Sequence, residues 1–211
     1  MLNVHAHVLN HDFPSFIAKT FATVDPGTAY LPNWHIELIA EYLEAARLRK
    51  INRLIINMPP RSLKSICVNV AWPAWLLGQD PASKIISASY AASLSTKHSL
   101  DCRHVITAPW YRYLFPDTRI AADQNEKRKF ATTAHGFRLA SSVGGSITGE
   151  GGNFLIIDDP LNPEQAMNAK RRDLVNRWYE HTFATRLNDK QHGVIVVVMH
   201  RLHPQDLSGY L

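Results

Sequence analysis

The chain has 211 residues and a formal net charge of +5, enough for one α/β domain with a sizeable core and too few for two of that kind. No apolar stretch reaches the length of a membrane span, and the start Met1-Leu2-Asn3-Val4-His5-Ala6-His7 lacks the basic and apolar regions of a secretion signal, which predicts a soluble, cytoplasmic protein with no membrane partner. Cys67 and Cys102 have no metal-ligand spacing and the histidines form no zinc motif, which argues against a disulfide framework and a histidine-built metal site.

Residues up to about Gly27 show weak periodicity and read as loop and short helix, part of a docking segment over 1–33 ahead of a core over 34–211. Pro32-Asn33-Trp34 leads into an amphipathic helix over 35–46, with apolar residues at 36, 39, 43 and 46. A strand over 53–57 follows, then the loop Pro59-Pro60-Arg61-Ser62-Leu63-Lys64-Ser65. From Ser65 the pattern predicts a helix that Pro73 kinks or shortens before Gly78 stops it, with Trp72 and Trp75 in the core. Residues 84–89 read as a buried strand and 91–107 as a helix with Leu94, His98, Cys102 and Val105 or Ile106 along one face.

The Pro- and Asp-containing stretch 109–127 reads as a loop-rich insertion. Strands near 128–133 and 137–142 flank Ala134-His135-Gly136 as a hairpin, and a glycine-rich loop over 144–152 enters the strand Phe154-Leu155-Ile156-Ile157-Asp158. Beyond Pro163 one helix is expected to run to about Leu187, burying Ala166, Leu174, Trp178 and Phe183. The run 193–199 is a final buried strand ending in His200-Arg201.

Two of these places carry chemistry. A loop between a strand and a helix N-terminus presents backbone N–H groups to an anion, Lys64 can reach terminal phosphates, and the Ser65 hydroxyl can ligate magnesium. Against the general GxxxxGK[ST] pattern, Met58 and Leu63 stand where glycines belong. The acidic strand end supplies the complement: Asp158 to hold magnesium through water or Ser65, and the adjacent Asp159 to orient attacking water. Loop and acidic strand occurring in this order, with strand-helix units between, point to a nucleotide with Mg2+. They predict an α/β fold of the RecA-like (ASCE) P-loop NTPase class, a mostly parallel sheet sandwiched between helices, in which His200 and Arg201 follow a strand inserted between the loop strand and the acidic strand.

The blocks Leu31-Pro32-Asn33-Trp34-His35, Ile56-Asn57-Met58-Pro59-Pro60-Arg61-Ser62-Leu63-Lys64-Ser65, Pro109-Trp110-Tyr111, Ser142-Val143-Gly144-Gly145, Ile156-Ile157-Asp158-Asp159-Pro160 and Val196-Val197-Val198-Met199-His200-Arg201-Leu202-His203 together resemble the ATPase domain of phage large terminases, the motors that pump viral DNA into a procapsid. The loop is similar to a glycine-poor branch of that family with an arginine inside it. The resemblance implies an ATPase that moves double-stranded DNA without sequence preference, as a homo-oligomer on the procapsid beside a portal protein and a small terminase subunit. It assigns Pro60, Arg61, Ser62, Leu63, Lys64 and Ser65 to the phosphates, Arg61 also to charge stabilisation during transfer, Trp34 and His35 to the adenine side, and His200-Arg201 to coupling. The family commonly has an arginine in the glycine-rich loop that acts across a subunit boundary; here the position is Glu150, which cannot donate to phosphate, leaving Arg186 and Arg138 as the next candidates. The family also continues into a nuclease domain, whereas this sequence stops at Leu211, so nuclease activity is not expected of it. The alternative is a truncated, non-hydrolysing prophage remnant that binds nucleotide, DNA or a partner.

Overall fold

A computed structural model describes residues 2–147 and 149–211. The helices α1 (Leu2–His11), α2 (Phe13–Val24) and α3 (Trp34–Arg47) precede β1 (Arg53–Asn57). The N-terminal segment is thus two helices, more ordered than its weak periodicity suggested. Phe16 of α2 packs edge-on against Trp75, Trp110, Tyr111 and Phe115, an aromatic cluster drawn from three separate parts of the chain.

After the loop, α4 (Lys64–Ile66) passes into a π turn (Cys67–Ala71) and on into α5 (Trp72–Gln79). Pro73 therefore does not shorten the helix, which runs through Gly78. Proline has no N–H for the carbonyl four residues earlier; that carbonyl, of Asn69, instead accepts from Arg138 Nη2 at 3.1 Å. A wider helical turn and a buried guanidinium absorb the proline.

The remaining elements are β2 (Lys84–Ser89), α6 (Ala92–Thr107), α7 (Pro109–Leu114), β3 (Ile120–Asn125), β4 (Lys129–Thr132), β5 (Phe137–Ser142), β6 (Phe154–Asp158), α8 (Pro163–Met167), α9 (Ala169–Trp178), β7 (Val194–Met199) and α10 (Leu207–Tyr210). Stretch 109–127 is thus a helix and a strand rather than a loop. Pro109 opens α7 at a position that needs no N–H. The single helix expected from 163 to 187 is broken at Asn168, which ends α8 and caps α9 by accepting from Arg171 N at 3.2 Å. It then continues as a π turn (Tyr179–Phe183) and a 3-10 turn (Ala184–Arg186). That change of phase turns Leu174 outward, 43% exposed, while Ala166, Trp178 and Phe183 are buried as expected.

The strands form one seven-stranded sheet in the order β1-β7-β6-β2-β5-β4-β3. The first five run parallel, and β4 and β3 add an antiparallel edge. Helices cover both faces, so strand residues alternate between two cores. Phe154, Ile156, Val194, Val196 and Val198 join the core with α2, α3, α5 and α6, and Leu155, Ile157, Ile195 and Val197 join the other with α8 and α9. Cys67 and Cys102 are buried free thiols, and burial pushes both up to about 12. Among the described residues no helix is long and apolar enough to cross a membrane.

Candidate functional site

Strand order builds the site. The last strand, β7, lies between β1 and β6, so the loop leaving β1 and the carboxylates leaving β6 face each other across its C-terminal end. Three hydrogen bonds clamp that end: Met58 N donates to Met199 O at 3.1 Å, Asp159 N donates to Val198 O at 3.0 Å, and His200 N donates to Asp159 Oδ1 at 2.8 Å. Met58 thereby continues the ladder of β1, where the general motif would have its first glycine.

The loop itself is strained. Arg61 and Leu63 both have φ near 62°, the left-handed region that costs a side-chain-bearing residue about 1–2 kcal/mol. Leu63 stands where the general motif has its second glycine, and the backbone does adopt the glycine-type conformation there. The loop is braced by Ser62 Oγ donating to Pro59 O at 2.8 Å and by the His35 ring Nε2 lying 3.1 Å from Ser62 O. Arg61 is exposed and makes no side-chain hydrogen bond among the described residues.

Lys64 and Ser65, at the start of α4, reach the acids. Lys64 Nζ is almost buried and lies 2.9 Å from Asp159 Oδ2. Ser65 Oγ donates to Asp158 Oδ1 at 3.0 Å. Asp158 is fully buried and its carboxyl is pushed up to about 6, first by burial and then by the neighbouring Asp159, against the pull of Asn69, Lys64 and Ser65. Asp159 has φ 44°, a left-handed backbone that turns its side chain back toward the loop and β7.

Behind Asp158 lies a polar cluster that carries no motif and that sequence reasoning missed. Asn69 Nδ2 is 3.2 Å from Asp158 Oδ2 and 3.0 Å from His98 Nδ1. Its Oδ1 accepts from Ser87 Oγ at 2.5 Å and from Arg138 Nη2 at 2.9 Å. Burial, then the cations Arg138, Lys97 and Lys64, hold His98 down at about 3, a neutral ring whose Nδ1 accepts from Asn69. The one available signal was a histidine on an otherwise buried helix face.

The other expected residues are distributed as follows. Trp34 is 72% exposed and lines, with His35, Leu38, Tyr42, Ile55 and Met58, an apolar cavity of about 380 Å³ next to the loop. His200 contributes its backbone N–H, and the Arg201 side chain turns away from the loop toward Pro204 O and Asp206. Glu150 is paired with Lys129 Nζ of its own chain at 2.5 Å. Arg138 is fully buried and cannot reach across a subunit boundary, which removes it as a candidate finger; Arg186 is half-buried and donates to Thr185 Oγ1. A larger cleft, about 580 Å³ and lined by Arg112 and Arg119, lies beside β3 at the opposite edge of the sheet.

The basic groups are largely engaged within the chain. Arg47 pairs with Glu44 at 2.9 Å, Arg49 lies 4.1 Å over the Phe154 ring, and Arg172 donates to Ala166 O at 2.7 Å. Lys50, Lys127, Lys170 and Arg171 remain exposed.

No protein-family model matches this sequence, and no curated protein sequence matches it significantly. Among solved structures, the crystal structure of the HK97 bacteriophage large terminase superposes with a TM-score of 0.57 at 14% sequence identity, over 94% of this chain and 39% of that one. The chain thus spans about two-fifths of that protein's length and shares its fold, a RecA-like α/β arrangement with a mostly parallel sheet between helices.

Proposed function

We propose that this chain is a magnesium-dependent ATPase core that couples hydrolysis to movement of duplex DNA, in the manner of the large subunit of a viral or prophage packaging motor. One observation carries the reading: Lys64 and Ser65, at a helix N-terminus after a strained loop, engage Asp159 and Asp158 across a strand inserted between their own two strands. The fold shared with a phage large terminase supports the motor class.

The donor set suits magnesium, because the Ser65 hydroxyl and Asp158 Oδ1 are hard oxygens already 3.0 Å apart and would hold such a cation between them. When bound, the metal neutralises charge on the β- and γ-phosphates. Lys64 exchanges Asp159 for phosphate oxygen. Asp159, still held through Oδ1 by His200 N, then has Oδ2 available to orient the attacking water and accept its proton as the oxygen bonds to the γ-phosphorus and the bond to the ADP oxygen breaks. Arg61 is exposed at the loop and able to meet the developing charge. The His200 link joins this carboxylate to the end of β7 and so to the segment proposed to couple hydrolysis to movement. The apolar cavity at Trp34 and His35 suits the base.

Duplex DNA, bound through phosphates without sequence preference, fits the net charge of +5; the portal, small-subunit and procapsid partners follow from the motor class. The non-hydrolysing reading is favoured by Glu150, which Lys129 occupies and which offers no cation to a neighbouring subunit.

Asp159→Asn separates binding from chemistry. The variant is expected to keep magnesium-ATP affinity within about threefold while turnover falls about 10²–10⁴-fold, the range for loss of a general base. Wild-type hydrolysis by Asp159→Asn, together with an unimpaired metal dependence in Asp158→Asn, would sink the assignment. Magnesium-ATP binding by the wild-type chain with no turnover would leave the non-hydrolysing reading.

A further inference from the structure

Asn69 sits in the π turn that follows the loop helix and is fully buried. Its carboxamide is satisfied on every side. The two amide hydrogens are placed for Asp158 Oδ2 and His98 Nδ1, and Oδ1 accepts from Ser87 of β2 and Arg138 of β5. The acceptors on one side and donors on the other fix which way the amide points. Its backbone carbonyl, orphaned by Pro73, is held by the same Arg138. Helix, two strands and α6 thus converge on one side chain whose output is a hydrogen bond to one oxygen of Asp158. Asp158 Oδ1 is left to Ser65.

We propose that Asn69 is a positioning residue for the metal-binding carboxylate: by taking Oδ2 it presents Oδ1 of Asp158 to the Ser65 hydroxyl and to magnesium. The role rests on the ATPase reading above. A carboxylate with both oxygens free to rotate would spend binding energy on being ordered, and a neutral donor holds it without supplying a competing charge. Ser87 and Arg138 act through Asn69 by fixing its oxygen. His98 acts through its second hydrogen.

The test is a magnesium titration of wild type and Asn69→Asp in the presence of a fluorescent ATP analogue, with affinity for the same analogue measured separately in EDTA. Asn69→Asp keeps the shape and an oxygen for Arg138 and Ser87, removes both amide hydrogens, and sets against Asp158 Oδ2 an oxygen that repels it in place of a donor that holds it. The expected result is an about tenfold higher magnesium concentration at half-saturation, with the metal-free affinity, set by Lys64, unchanged. Equal magnesium dependence in the two proteins overturns the proposal. So does a parallel loss of both affinities, which is what general loosening of the fold would produce. If Asn69→Asp does not fold, Ser87→Ala removes one of the two donors to Asn69 Oδ1 and is expected to shift the magnesium midpoint about two- to threefold; no shift overturns the role. A wild-type chain without magnesium-dependent binding overturns the functional reading itself, a result distinct from wild type binding normally while the variant matches it.

Discussion

Lys64→Ala is expected to weaken magnesium-ATP binding at least about tenfold, which is about 1.4 kcal/mol. A charge-assisted hydrogen bond from an ammonium to phosphate is worth more than this on its own, about 1.5–3 kcal/mol. In the resting protein, however, the ammonium is already 2.9 Å from Asp159 Oδ2, and nucleotide binding must exchange one partner for the other. The measured loss is therefore a difference between two ion pairs and understates the contact with phosphate. The check is a titration of the folded variant by calorimetry; unchanged affinity removes the loop from the site.

Asp158→Asn is expected to make the metal-free chain more stable near neutral pH while abolishing its magnesium dependence. The folded-state value of Asp158 is raised from 3.8 to about 6, so folding disfavours the ionised form. Wild type is free of this penalty below the unfolded value and acquires it as pH rises from about 4 to about 6. The full penalty above pH 6 is about 3 kcal/mol. An asparagine carries no charge to penalise. In EDTA, denaturant unfolding is expected to show Asp158→Asn gaining up to about 3 kcal/mol over wild type at pH 8 and little at pH 4. A gap of the same size at both pH values would mean that the carboxylate is not destabilised by burial.

What could be read from sequence depended on how local the cause was. The strands at 84–89, 154–158 and 194–199 were legible because both faces of an interior parallel strand are covered, which forces near-continuous apolar runs; the strand at 53–57 lies at the sheet edge and was legible from its short apolar run Leu54-Ile55-Ile56. β3 was not legible: Ile120-Ala121-Ala122-Asp123-Gln124-Asn125 is an edge strand, bonded on one side to β4 and with no residue buried. Pro73 was misread because the group that compensates for it, Arg138, lies on another element 65 residues away. Leu174 was misplaced because a single capping residue, Asn168, reset the helical phase. Lys64, Ser65, Asp158 and Asp159 were expected to lie together on the ground of phosphate and metal chemistry, and the structure brings the four together. The ring of Asn69, His98, Ser87 and Arg138 was not, since nothing in the order of residues says that four buried polar groups on four elements share one hydrogen-bond network.

The order of the sheet has a consequence for local opening. β6, which ends in Asp158, is fully buried between β7 and β2, whereas β1, which carries the loop, is bonded on one side only and has Ile55 40% exposed. Amides at a sheet rim open at a lower free energy than those at its centre. The two halves of the site therefore hang from supports of unequal stiffness: the acids form the anvil, and the lysine side is the part that yields. On the proposed ATPase reading, ordering of the rim is where the entropic cost of taking up a nucleotide falls, and any other contact that stiffens β1 or α3 is expected to raise affinity at the site without touching the ligand.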